Sequence, residues 1–295
     1  MTTRLAWFDR TGKEQGSAGA ADEFSHPKLS PDDKRVVFEL PDPKSGSPAI
    51  WMLDLSRGAT SRLTFHPAAH KAPVWSADGS HVIFSSNRDG AYQILQTPAA
   101  GTGKEELLIQ SQNWMLPAGV LDGRFLVYHE QVPKMKWDIW VLPLTGDRKP
   151  GPFLQTPFSE SHGQFSPDGR WMAYESDESG RFEVYVQSFP AGGAKSMISN
   201  SGGAQPRWRR DGKELFYLDL EEKLMAVDVK AASTFEAGRP RALFQTRGRL
   251  GSVAVTQRSF QYDVSGDGQR FLINTPAEEA NTSPITVVVN WKPKR

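Results

Sequence analysis

The 295-residue chain contains no cysteine, which excludes disulfide staples and thiolate metal sites and leaves the compartment open. It also lacks an excess of charge of either sign. Thirty-five basic residues stand against 34 acidic ones, a formal net charge of +1. That balance provides no general electrostatic footprint for nucleic acid or an anionic membrane. The densest basic spot, Arg207-Trp208-Arg209-Arg210, falls inside a repeated hairpin and reads as solvated rim. No apolar run approaches the roughly 18 residues of a membrane helix, so this segment is not expected to insert in a bilayer. The opening Met1-Thr2-Thr3-Arg4 leads straight into strand-like Leu5-Ala6-Trp7-Phe8, with no signal-peptide core. The expectation is a cytoplasmic protein or, the favoured reading, a domain cut from a longer chain. The latter would be periplasmic or extracellular if its parent is membrane-anchored. Catalytic signatures are missing as well: there is no Gly-x-Ser-x-Gly elbow, His-Glu-x-x-His pair, EF-hand loop or kinase motif. Gly101-Thr102-Gly103-Lys104 has only part of a phosphate loop, without the first glycine at the right spacing or the hydroxyl residue after lysine. Long helical periodicity is absent.

What the chain has instead is one phrase six times. Ser166-Pro167-Asp168-Gly169 is a turn in which Pro presets φ, Asp can bond its own backbone, and Gly takes the left-handed φ that closes a short hairpin. An aromatic residue precedes it and an apolar run follows. The other copies are Ser30-Pro31-Asp32-Asp33, Ser76-Ala77-Asp78-Gly79, Val120-Leu121-Asp122-Gly123, Arg209-Arg210-Asp211-Gly212 and Ser265-Gly266-Asp267-Gly268. From Asp to Asp the steps are 46, 44, 46, 43 and 56 residues. A period of about 40–50 residues with paired strands predicts propeller blades. The runs after the turns, such as His81–Phe84 and Trp171–Tyr174, are β-branched and aromatic without alternation, as expected of strands buried on both faces. Third strands follow at Ile50–Leu53, Tyr92–Leu95, Asp138–Leu142, Glu183–Gln187, Leu224–Val229 and Ile285–Asn290. More polar fourth strands, as at Ser61–Thr64, suit outer edges. The wide last step predicts an insertion near Thr246–Ser252. Leu5–Asp9 matches a third strand with no hairpin before it, so the two termini are expected to complete one blade between them. Leu5–Asp9 and Ile285–Asn290 compete for one position there. The fold class is therefore an all-β, six-bladed propeller of four-stranded antiparallel blades, one domain over residues 1–295.

Hairpins of the form aromatic-Ser-Pro-Asp-Gly, followed by a Ser-x-x-x-Gly turn and an aromatic third strand, resemble the WD-like repeats of TolB-type propellers. Phe165–Tyr174 and Trp75–Phe84 are the best copies, and the third repeat and Asp33 depart from the pattern. The resemblance covers essentially the whole chain. It implies a module, often C-terminal to a bacterial Ser/Thr kinase or winged-helix domain, that senses or binds a protein. It implies no particular ligand.

The repeat frame nominates residues for the channel rim. Four positions before each turn lie His26, Ala72, Leu116, His162, Gln205 and Gln261, and just after the second strands lie Glu39, Ser85, His129, Glu175, Leu218 and Asn274. Antiparallel pairing puts both sets on one rim. His26 with Glu39 and His162 with Glu175 fall in the first and fourth repeats and should face each other across the channel. A His beside a carboxylate can be an acid–base pair or a metal ligand with its orienting partner, so a divalent cation in the channel is one option and no cofactor the other. A structural role for the same residues is favoured over catalysis and stands level with binding of a polar ligand or ion, and a one-residue slip would move both glutamates to the other face. His70 and Glu160 lie near this rim. Trp51, Trp75, Trp140, Trp171 and Trp208 read as core between blades. Trp114, Met115 and Leu116 occupy the rim of the degenerate third repeat and, if exposed, would form an apolar docking spot. The function expected is a non-catalytic module binding a protein, peptide or small polar ligand at the channel face. A channel-site hydrolase or lyase, metal-dependent or not, is the alternative.

Overall fold

The computed structural model describes residues 2–132, 136–190, 193–231, 234–246 and 259–277. Six antiparallel sheets form six blades. In blade one the strands Ser25–Leu29, Arg35–Pro41, Pro48–Asp54 and Ala59–Arg62 run from axis to periphery. Blades two, three and four repeat the order, their innermost strands being His70–Trp75, Met115–Leu121 and Glu160–Phe165. Blade five starts at Ala204–Trp208. Its long third strand, Lys223–Ala231, carries two short outer partners end to end, Phe235–Ala237 and Arg241–Gln245.

The sixth blade is made from both ends of the chain. Tyr262–Val264 and Arg270–Pro276 supply its inner half, and Thr3–Asp9 and Glu14–Asp22 its outer half. Seven residue pairs from Thr3↔Pro276 to Asp9↔Arg270 zip the ring shut. Leu5–Asp9 therefore takes the third position. Ile285–Asn290, the rival for it, and most of the expected insertion, residues 247–252, lie outside the described residues.

Burial follows the predicted pattern. Every residue of Trp171–Ser176 and Glu214–Leu218 is buried, whereas Ala59–Arg62 and Lys195–Met197 are largely exposed. The core is distributed between neighbouring blades. Trp171, Val184 and Val186 of blade four pack on Trp208, Leu215 and Tyr217 of blade five, for example. Burying each such apolar side chain contributes about 1.5–3 kcal/mol. Two of the tryptophans add direction: Trp75 Nε1 donates to Lys28 O at 3.0 Å and Trp208 Nε1 to Gln164 O at 3.1 Å, each tying one blade to the one before it.

The turns hold as expected with one variation. Gly79, Gly169, Gly212 and Gly268 have φ of +68° to +73°, and Asp33 takes the same left-handed conformation at +57°. In the third repeat Asp122 and Gly123 both have positive φ, and Arg124 N bonds Leu121 O. This is a two-residue hairpin loop of the twisted kind that suits strand pairs, rather than the four-residue loop of the other blades.

Candidate functional site: the propeller axis

Four of the six innermost strands carry an irregularity where the sequence frame had placed the rim residues. His26, Ala72, His162 and Gln205 have φ of 50°, 52°, 54° and 56°. The pairing slips by one residue beside each of them, for example between Ser25↔Glu39 and Lys28↔Val37. Each is a β-bulge, which re-aims the strand that follows it.

The expected rim pairs form. His26 Nδ1 lies 2.7 Å from Glu39 Oε1, and His162 Nδ1 lies 2.8 Å from Glu175 Oε1, the latter angled away from a straight hydrogen bond. All four side chains are buried. The carboxylates are also committed to the backbone of the next blade: Glu39 accepts from Ala72 N at 2.6 Å and Glu175 from Gln205 N at 2.8 Å. Ser161 Oγ adds a bond to Glu175 at 2.7 Å. Burial would push the Glu175 carboxyl up, but attraction to His162 and these hydrogen bonds outweigh it and hold it below the usual carboxylate range. Glu39 is held down in the same way, burial being outweighed by His26 and the Ala72 amide.

His26 and His162 do face each other across the mouth, and what lies between them is the chain's own Ser259–Phe260. Ser259 Oγ is 3.1 Å from His26 Nδ1, and the Phe260 ring meets the His162 ring edge-on with centroids 4.4 Å apart. Gln205 and Gln261 complete the arrangement. Gln205 Nε2 and Gln261 Nε2 both donate to Ser259 O, and Gln261 N donates to Gln205 Oε1 at 2.8 Å. Six of the eight nominated residues thus converge, around a buried phenylalanine that caps this end of the channel.

The other two lie elsewhere. His70 is fully buried between Thr64 Oγ1 at 2.8 Å and Arg88 Nη2 at 3.0 Å. Because a guanidinium only donates, Nε2 is the acceptor and Nδ1 carries the proton. Burial, helped by Arg88, pulls the His70 pKa down to about 3. Trp114 is half-buried against Tyr92, Trp137 and the Lys71 ammonium, beside a cavity of about 170 Å³, while Met115 and Leu116 are buried. Of that apolar trio only the tryptophan reaches the surface. Glu160 is buried and bonded to Thr156 Oγ1. Burial and the nearby Asp138, Asp177 and Glu178 carboxylates outweigh that bond and raise its pKa to about 7. Among the described residues no group of three or more His, Asp or Glu side chains is arranged to hold a metal ion. Each His–Glu pair offers two ligands, with the carboxylate already bonded.

Beyond the bulges, a different position faces the axis. Lys28, Val74, Gly119, Gln164, Arg207 and Asp263, one from each blade, line a cavity of about 380 Å³ that opens among the turns. Two other clefts of similar volume among the described residues touch only two blades each. Arg207 was expected on a solvated rim, yet it is 2% exposed. The bulge at Gln205 turns it inward, and only Arg209 and Arg210 of the basic run reach solvent, paired with Asp211, Glu214 and Asp33. The Arg207 guanidinium stacks 3.4 Å from the Phe260 centroid, so it forms the floor of the cavity beneath the aromatic cap. Its Nε lies 3.2 Å from Asp263 Oδ1 and its Nη1 donates to Gln164 Oε1 at 3.1 Å. The Lys28 ammonium lies 3.5 Å from the same Asp263 oxygen, and Leu29 N donates to Oδ2. Two cations therefore share one carboxylate at the centre. Burial and the Arg207 charge lower the Lys28 pKa to about 8, against the opposing pull of Asp263.

Residues 10–149 match the family model described as the TolB beta propeller domain. Among solved structures, one assigned as TolB from Agrobacterium tumefaciens superposes with a TM-score of 0.74 at 18% identity, covering 94% of this chain and 99% of that one. TolB from Acinetobacter baumannii gives 0.61 at 16% identity, covering 82% of this chain and 66% of that one. An oligogalacturonate lyase in complex with manganese gives 0.60 at 14% identity, covering 92% and 82%. At these identities the likeness is one of fold.

Proposed function

We propose, on the premise that this chain is a TolB-type six-bladed β-propeller, that it is a non-catalytic binding module whose partner is a protein or peptide held at the axial channel. The observation that supports this most directly is the cavity among the turns: all six blades contribute to it, it is open at one end, and Arg207 under Phe260 floors the other. Its polar groups are donors and charges suited to holding a chain segment. The His–Glu pairs that a catalytic reading would need as acid and base are buried and engaged in joining blades. Fold alone assigns no chemistry, and the lyase neighbour lends none at its identity.

Panning a random peptide library against the intact chain tests this reading. Ala77 is exposed at the cavity mouth, so Ala77→Trp narrows it without entering the core. Binders selected on the wild type should lose affinity for Ala77→Trp. Binders indifferent to that change would contradict the reading, as would turnover of oligogalacturonate in the presence of manganese.

A further inference from the structure

We infer that the axial cavity is a carboxylate-binding site, in which Lys28 and Arg207 receive one acidic side chain or C-terminal carboxylate of the bound polypeptide. This rests on the binding reading above and adds the chemistry of the group recognised.

Lys28, Arg207 and Asp263 come from blades one, five and six and meet at a single carboxylate oxygen, at 3.5 and 3.2 Å. Among the described residues, two cations against one anion leave one positive charge at the floor of a cavity walled otherwise by Val74, Gly119 and Gln164. The remaining charged groups at the mouth are matched close by: Arg210 with Asp33 at 2.9 Å and Asp122 with Arg124 at 3.2 Å. A buried uncompensated charge is costly, and proteins retain one where something else neutralises it. One monoanion restores neutrality here, whereas a doubly charged phosphate would reverse the sign.

Geometry points the same way. Arg207 is fixed on both sides, by the Phe260 ring and by Gln164 and Asp263, so its planar donors are preorganised. Lys28 is the more accessible of the two, with its side chain 20% exposed towards the cavity, and it can swing to an incoming oxygen. Gly119 keeps the facing wall low: a Cβ there would already sit 3.6 Å from the Gln164 amide. The cavity of about 380 Å³ accommodates a side chain and its flanking backbone.

Isothermal titration with hexaglutamate and with free glutarate, at constant ionic strength, tests this on the wild type, Lys28→Gln and Lys28→Arg. Hexaglutamate is expected to bind the wild type, to lose about tenfold or more in affinity with Lys28→Gln, and to keep most of it with Lys28→Arg. Hexalysine should not bind. Glutarate binding without hexaglutamate binding, sensitive to Lys28→Gln, would sustain the carboxylate site but assign it to a free small acid and overturn the polypeptide reading. Library-selected peptides that bind Lys28→Gln as well as the wild type would overturn the carboxylate site while leaving that reading intact. Equal hexaglutamate binding by wild type and Lys28→Gln, or none to either folded protein, would also overturn the site.

Discussion

At the scale of single residues, Lys28 is where stability and binding pull apart. Its pKa falls from 10.5 unfolded to about 8 folded, so between those values the unfolded chain holds more protons than the folded one. Stability therefore rises with pH across that window, and below pH 8 the whole penalty is present. Lys28→Met, which leaves Asp263 matched by Arg207 alone, should stabilise the protein at pH 7 by on the order of 2–3 kcal/mol. The gain should fade towards pH 10.5. Denaturant unfolding of both proteins across pH 7–10.5 reads this out; equal midpoints throughout would refute the penalty. Gly169 shows the opposite case, a residue fixed by fold alone. It has φ +71°, and an added Cβ would lie 2.7 Å from Leu121 Cδ2 of the neighbouring blade. Gly169→Val should cost about 2–4 kcal/mol through backbone strain and overpacking together. At Gly123, where nothing lies within 4 Å, only the backbone part would remain.

At the scale of the strand and hairpin, the bulge decides which residues face the axis. The turns were legible because Pro, Asp and Gly carry a local conformational signal, and Gly169 and Asp168 do in the structure what their chemistry dictates. The bulges were not legible, because His26, Ala72, His162 and Gln205 adopt positive φ without being glycine or asparagine, and nothing local announces it. The positions four residues before the turns therefore fall at the cap, whereas Lys28, Arg207 and Asp263 stand two positions nearer the turn. The signal that could have found them is their recurrence at that one offset in three blades, with Gln164 in a fourth. The same bulges explain the fate of the glutamates: Glu39 and Glu175 bond the amides that the bulged residues of the next blade leave unpaired. Glu175→Ala should cost about 3–5 kcal/mol, since it strands His162 and the Gln205 amide. Because the Glu175 pKa is depressed in the fold, its contribution is present above the unfolded carboxylate value and is lost as pH falls. The gap between wild type and variant should narrow in acid, which unfolding curves at pH 7 and pH 4 would register. A gap that stays constant would mean the carboxylate does not act through its charge.

At the scale of the molecule, sixfold repetition makes one axis on which side chains from distant parts of the sequence meet. Lys28 and Asp263 stand at opposite ends of the described chain, and only ring closure through Thr3–Asp9 and Arg270–Pro276 brings them within reach. Closure was legible from the missing first hairpin, whereas the charge balance at the axis was not, because it exists only once the ring is shut. The net charge of +1 for the whole chain conceals a local positive charge held at the floor of the axial cavity.

The most direct test of that charge is the titration of the Lys28 ε-carbon by NMR in lysine-labelled protein, with and without hexaglutamate. One lysine resonance, missing in Lys28→Gln, is expected to titrate near pH 8 alone and to move upward when hexaglutamate fills the cavity. A Lys28 that titrates near 10.5 and ignores the peptide would contradict it.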